Sequence, residues 1–439
     1  MPRSVSFAQL VALSVGITIG SGIFRVPATV AAQLQFPGPM LLCWILGGVI
    51  ALCGALTVAE LAGALPRSGG VFAYLLAGYG PLPAFLFGWT ELVVVRAAAL
   101  GAIATIFAEY LGYFVPLVAA NVRISAALAI ALIGAINYVG VQRAAAVLSA
   151  TTAVKYAVLL GLGLLAFTAR GGTFAHFAPA WPASAPWSAL ATALIPVMWT
   201  YDGWADAAFV AGEVRNPQRD LPLALIAGAV SVIVVYLVVN VGFLYALTPH
   251  TMAGSKLVAS SVAARIAVLG SAGAAVVAGA VVISAFSGLN ASMLAGSRIF
   301  YAMADRGLFF RAAARVSPRF DSPSVAIWLA TVLGVAYVLE NDFAQLADKF
   351  ILGIWPFYTL TVAAVFLLRA RRPELPRPYR VWGYPIVPAV FLVASLYMVL
   401  NALIADPRNT GITFAVIVAG IPVFWLWGWF GGPKLARQQ

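Results

Sequence analysis

Residues 16–24 read Gly16-Ile-Thr-Ile-Gly20-Ser21-Gly22-Ile-Phe24, and residues 196–206 read Pro196-Val-Met-Trp199-Thr-Tyr201-Asp202-Gly203-Trp204-Ala-Asp206. Each stretch interrupts a long apolar run. The first has three glycines within seven residues, each costing about 1 kcal/mol inside a helix, and the second sets Asp202 beside Gly203. Both stretches therefore predict a broken helix. Lipid offers no hydrogen-bond partner to the backbone groups that a break releases, so an interruption inside a membrane survives only against a cavity or a ligand. Both breaks are expected to line a site. Close helix packing by small residues is the alternative for Gly20, Ser21 and Gly22, but it gives no reason for Asp202 in mid-membrane.

The rest of the chain supplies the membrane. Of 439 residues, 63% are hydrophobic and 9% charged, against roughly 45–50% and 25% in soluble domains. A spanning helix needs about 20 apolar residues. Twelve such runs are expected, beginning near Phe7, Gly38, Leu82, Ile124, Val147, Trp187, Leu221, Val262, Ser324, Phe350, Pro385 and Gly411. A cleaved secretory signal is a poor reading of the first, because Arg25 and the glycine cluster lie inside it. Of the 26 Lys and Arg residues, 17 fall in segments on one side of the membrane and six on the other, with Arg25, Arg96 and Lys155 inside spans. The richer side is expected to be cytoplasmic and to hold both termini.

The net charge of +12 thus follows from topology, helped by attraction to anionic lipid headgroups. Nucleic-acid binding would need a basic face with interleaved aromatics, whereas these arginines are spread over several loops and both termini. Cys43 and Cys53 share the second span and cannot close an extracellular bridge. No CxxC or Cys/His spacing occurs, so no metal or other cofactor is expected. The chain reads as a single membrane domain, 1–439, with its largest loops at 66–80, 169–186 and 304–323. The outer segment 169–186, with His176, Trp181 and Pro182, resembles an interfacial cap. His176 and His250, the two histidines, lie in separate outer loops, which argues against an intramembrane enzyme.

The breaks fall in spans one and six, five apart and oppositely oriented. Interrupted segments at corresponding places in two halves point to an inverted repeat with a site near the midplane. The amides of Ser21, Gly22 and Ile23 open a half-helix and suit a carboxylate. The carbonyls of Ile17, Thr18 and Ile19, before Gly20, suit an ammonium, and the carbonyls of Trp199, Thr200 and Tyr201, before Asp202 and Gly203, add to them. A zwitterion, and so an α-amino acid, fits such a site.

Ionisable groups inside the membrane are expensive and usually functional. Lys155 lies about one-third along span five. Its readings are an ammonium directed at the broken span, where burial would let it carry a coupled proton, or a side chain snorkelling to the interface. Asp202 is expected either to sense a substrate's side chain or to tie down the break, while Asp206, i,i+4 from it if the helix resumes directly, is expected to be structural. Glu91 and Arg96 are five apart rather than three or four, so partners on other helices are expected as readily as each other. Glu60 and Arg67, at the inner end of span two, read as scaffold. Trp199 and Tyr201 abut the break and are candidates for a lid.

The motifs Gly20-Ser-Gly-Ile-Phe24, Glu60-Leu-Ala with Pro66-Arg-Ser-Gly-Gly70, Gly80-Pro-Leu-Pro-Ala-Phe85, Tyr201-Asp-Gly-Trp204 through Glu213 and Asn216-Pro217, Ser297-Arg-Ile-Phe-Tyr-Ala-Met-Ala304 and Arg377-Pro-Tyr-Arg380 resemble the L-amino-acid transporter family of the amino acid-polyamine-organocation superfamily. The resemblance implies an all-α LeuT-type fold. It has twelve transmembrane helices in a five-plus-five inverted repeat, with helices 1 and 6 unwound. Repeat one would cover about 7–169, repeat two about 187–370, and two additional helices about 385–432. It also implies that Lys155 replaces a sodium ion by linking spans one and eight, that Tyr236 faces this lysine, and that Trp199 stands where the family commonly has a gating Phe. Ala205 departs from a frequent Asn. The segment from Tyr113 to Arg123 lacks the cysteine that animal members use for a disulfide to a heavy chain, so no such partner is expected. The implied function is sodium-independent transport of neutral L-amino acids across the inner membrane, by exchange. The alternative is proton-coupled symport of cationic amino acids or polyamines, with Asp202 taking a second amine.

Overall fold

A computed structural model describes residues 6–66, 70–139, 155–184, 186–208, 214–305, 312, 315–317, 319–320 and 322–429. Apart from an antiparallel bridge between Ala169 and Ile266 and a bridge position at Val214, the described residues form helices and loops. The main helices are α1 (Phe7–Thr18), α2 (Val26–Leu34), α3 (Pro37–Ala64), α4 (Gly70–Tyr79), α5 (Pro81–Leu111), α6 (Val122–Val139), α7 (Lys155–Thr168), α8 (Trp187–Tyr201), α9 (Pro217–Ala246), α10 (Gly273–Asp305), α11 (Ser324–Glu340), α12 (Phe343–Arg371), α13 (Ile386–Ala405) and α14 (Pro407–Trp429).

Local chemistry sets their starts. Ser6 and Gln9 form a capping box on α1, with Ser6 N–H donating to Gln9 Oε1 at 2.9 Å. Pro37, Pro81, Pro217 and Pro407 open their helices, where a missing N–H removes no internal bond. Before α14, the Asp406 carboxylate accepts from both the backbone and the side chain of Asn409. These bonds favour its charged form and hold its pKa below the usual value.

Among the described residues, eight helices are long and apolar enough to cross a membrane. They lie in α3, α5, α6, α9, α10, α12, α13 and α14; α1, α4, α7 and α11 are apolar but shorter. Gly16 remains inside α1, so the break in the first span is shorter than its glycines suggest.

The chain forms two compact units, each drawn from separate stretches. One comprises 1–74, 152–284 and 358–405. Here α9 packs along α1 and α3, and α8 packs against α2, α3 and α13. The C-terminal end of α3 is fastened by Glu60, a residue 1% exposed. Arg369 donates to both its oxygens, at 2.9 and 2.6 Å, Val381 N–H donates at 2.7 Å, and Arg377 Nε lies at 3.4 Å. Arg377 also donates to the carbonyls of Leu368 and Arg372, closing the end of α12. The scaffold reading of Glu60 is thus given its partners, while Arg67 lies outside the described residues.

The other unit comprises 75–151, 285–357 and 406–439. In it, α5 packs with α6, α11 and α14. Residues Glu91–Arg96 of α5 form a π-helix. Its wider turn places residues five apart on one face, so Glu91 and Arg96 pair at 2.9 Å, and Arg96 also donates to Ser292 on α10. The sequence spacing left this pair open because it was measured against an α-helix. Within the same π segment, the Val93 carbonyl accepts from the Tyr337 hydroxyl at 2.8 Å.

Removing one partner of a buried ion pair typically costs about 3–5 kcal/mol because the other charge is stranded. Glu60→Ala is therefore expected to lower the melting temperature of the purified protein in detergent by several degrees. Arg369→Lys, which cannot span both carboxylate oxygens, should show part of that loss, and thermal unfolding followed by intrinsic fluorescence measures both.

Candidate functional site

The first break begins where Ile19 N–H makes the last α-helical bond, to Val15 O at 2.8 Å. Gly20 N–H then turns back onto Thr18 O at 2.8 Å, and the chain re-enters a single 3-10 turn, Gly22–Phe24, before α2. The first bonded donor of that turn is Phe24 N–H, to Ser21 O. The amides of Ser21, Gly22 and Ile23 therefore lie ahead of it, at the start of the turn, where a helix leaves its first donors without an intrahelical acceptor. The Ser21 hydroxyl is buried beside them and has no hydrogen-bond partner among the described residues.

The second break follows Tyr201. Asp202 is extended, Gly203 takes φ +106°, and the chain turns into a 3-10 segment at Asp206. The helix does not resume directly, so Asp202 and Asp206 do not stand one α-turn apart. A positive φ favours glycine, and space demands it too. A Cβ on Gly203 would lie 3.0 Å from the Thr18 Cα and Oγ1. At the other contact, a Cβ on Gly22 would lie 2.9 Å from the Trp199 ring and 3.1 Å from Thr200 Oγ1. The two breaks thus sit against each other, Gly203 admitting the Thr18 backbone and Gly22 the side chains of Trp199 and Thr200.

Tyr236 of α9 joins them. Its hydroxyl stands 3.0 Å from the Thr18 carbonyl and 3.0 Å from the Thr200 carbonyl, inside a fully buried pocket. Its ring packs 5.1 Å from Tyr201 and 5.9 Å from Trp44, centroid to centroid. Tyr201 donates to the Trp44 carbonyl at 3.1 Å. That places Tyr201 as a buried strut, not a lid, and takes the Thr18 and Thr200 carbonyls into internal bonds. The carbonyls of Ile17 and Ile19 stand at the end of α1, and the Trp199 carbonyl accepts from Asp202 N–H at 3.4 Å.

Comparison with known proteins gives the family. The model of the family described as amino acid permease matches residues 5–427. The chain belongs to the amino acid permease family. The permease is 31% identical over 416 residues to the human b(0,+)-type amino acid transporter 1, covering 93% of this chain and 84% of that one. It is 28% identical over 430 residues to the serine/threonine exchanger SteT of Bacillus subtilis (strain 168), covering 97% of each. The human cystine/glutamate transporter is 29% identical over 434 residues, covering 97% of this chain and 85% of that one. The permease is therefore a multi-pass membrane protein of amino acid transport.

In the permease, Lys155 begins the described part of α7 and is 6% exposed. Its side chain does not run along the lipid-facing surface, as snorkelling would require. Asp202 accepts a hydrogen bond from the Tyr358 hydroxyl of α12 at 2.9 Å. Trp44 and Tyr358 had no sequence signal of their own: one acts through its backbone carbonyl, and the other is an ordinary aromatic in an apolar run.

Tyr236→Phe keeps the ring contacts and removes the hydroxyl, so the Thr200 carbonyl loses that donor while the Thr18 carbonyl keeps the Gly20 N–H. A buried acceptor left unsatisfied costs about 1–3 kcal/mol, so substrate uptake by reconstituted protein is expected to slow about tenfold or more. Gly203→Ala should be harsher, since it meets both the positive φ and the Thr18 backbone. A variant with wild-type uptake would show that the two breaks need no such closeness.

Proposed function

We propose that the permease carries neutral L-amino acids by sodium-independent exchange, through alternating access of a site formed by its two broken spans. The observation that carries this reading is the Tyr236 hydroxyl lying between the Thr18 and Thr200 carbonyls, with the Ser21–Ile23 amides beside them. The half-helix start at Ser21 suits a substrate carboxylate by its dipole and free donors. The carbonyls of Ile17, Ile19 and Trp199 suit the α-ammonium. A zwitterion is then bound by backbone, and the side chain is left to fit the space around Ser21 and Trp199.

Sodium independence is proposed on Lys155. A buried ammonium supplies fixed positive charge where another transporter of this architecture would bind a cation, as the resemblance implies through its link to spans one and eight. Exchange is supported by the name of the bacterial relative, a serine/threonine exchanger aligned over nearly all of both chains. The proposed setting is the inner membrane, with both termini cytoplasmic and in an inverted-repeat arrangement. The lack of a cysteine between Tyr113 and Arg123 supports a subunit that works without a disulfide-linked heavy chain. Symport of cationic amino acids or polyamines would ask Asp202 to receive a second amine, and its Oδ1 already receives the Tyr358 hydroxyl.

Proteoliposome uptake tests this reading. Counterflow of labelled neutral amino acids is expected with internal amino acid present, unchanged when sodium is replaced by choline. Strict sodium dependence, or net uptake driven by a pH gradient without internal substrate, would overturn it. Lys155→Ala is expected to slow exchange by about tenfold or more, because an intramembrane charge is kept at a cost that function must justify. Wild-type exchange in that variant removes the lysine from the mechanism.

A further inference from the structure

The turn in the sixth span is held from outside as well as by its own backbone. Among the described residues its backbone bonds include a long one from Asp202 N–H to Trp199 O, 3.4 Å, one from Asp206 N–H to Gly203 O, 3.1 Å, and one from Ala208 N–H to Ala205 O, 3.1 Å. Tyr358 touches this turn on both sides of Gly203. Its hydroxyl donates to Asp202 Oδ1 at 2.9 Å, and its ring lies 5.0 Å from the Trp204 ring. Trp204 is itself fixed, 5.8 Å from Phe391 and so close to α3 that a Cβ on Gly54 would lie 2.7 Å from its ring. Tyr358, Trp204 and Phe391 are all buried.

We propose that Tyr358 is a positioning residue for the break in the sixth span, gripping Asp202 and Trp204 so that the Asp202 carboxylate braces the backbone instead of reading the substrate's side chain. This rests on the reading of that break as part of the amino acid site. A hydrogen bond to a carboxylate from a donor held by ring packing fixes the direction of Asp202, and with it the peptide planes on either side of Gly203. The substrate then meets carbonyls already aimed, and binding does not have to order them. Loss of the brace should weaken every amino acid alike, whatever its side-chain charge.

The test uses reconstituted full-length protein and the labelled neutral amino acid it takes up fastest, competed by the same amino acid unlabelled and by L-lysine. Tyr358→Phe keeps the ring and removes the donor. It is expected to raise KM about tenfold with the maximal rate changed less than twofold, on the scale of a lost charged hydrogen bond. Asp202→Asn should do the same. The double variant should be no worse than the worse single one, since residues acting as one unit are not additive. The ratio of lysine to neutral half-inhibition should stay constant throughout. A shift of that ratio in either single variant would show that the carboxylate reads side-chain charge and would overturn the brace, as would additive effects or an unchanged KM. If Tyr358→Phe is not monodisperse in detergent, Tyr358→His keeps a ring donor and should lie closer to the wild-type KM; a tenfold rise there counts against the proposal. Wild-type protein that moves no amino acid would overturn the transport reading itself, whereas transport with indifferent variants overturns the brace alone.

Discussion

A backbone carbonyl released inside a membrane has no water to turn to, and this structure meets that constraint repeatedly with a tyrosine hydroxyl. The Tyr236 hydroxyl lies 3.0 Å from the Thr18 and Thr200 carbonyls at the two breaks, and Tyr337 serves Val93 in the π segment. Tyrosine suits the task because its body packs as an apolar ring while its tip carries a single donor at long reach. The irregular backbone needed for a substrate site is made tolerable by donors supplied from neighbouring regular helices.

Charge inside the apolar body follows the same economy. Glu60 is surrounded by Arg369, Arg377 and the Val381 amide, and Glu91 is met by Arg96. Buried ion pairs contribute little net stability but are costly to break. The Glu60 pairs fix which helix ends stay together, whereas Glu91–Arg96 closes a π turn within one helix. In the first unit, the Glu60 cluster ties α3 to the end of α12 and to the loop leading into α13. The first unit also holds the breaks, so they share a unit with the fastened C-terminal end of α3.

The breaks were legible in the sequence because Gly20, Gly22 and Gly203 stand in runs where nothing else interrupts apolar periodicity, and Asp202 has no bland explanation there. Their extent was less legible: Gly16 stays helical, since one glycine's modest penalty is easily outweighed by packing. Tyr201 read as a lid because it adjoins the break, yet adjacency in sequence says nothing of which way a ring turns, and it turned to Trp44. Glu60 read as scaffold, but its partners lie more than 300 positions away and no local pattern announces them. Lys155 stood out because lysine is scarce in such runs, and the resemblance supplied a role for it that its burial alone does not. Tyr358 and Trp44 were invisible, since an aromatic that packs and one that also donates look alike in a string of letters.

The π segment in α5 changes what counts as a face of that helix. One extra residue in a turn rotates everything beyond it by about 100° relative to a regular helix. A wheel drawn through Pro81–Leu111 as one uninterrupted cylinder would mark side chains before Glu91 and after Arg96 as neighbours when they point in different directions. Transplanting a patch of this helix into a relative therefore requires matching the inserted residue first. Without it, the donor and recipient would share letters at each position and disagree on which of them look inward.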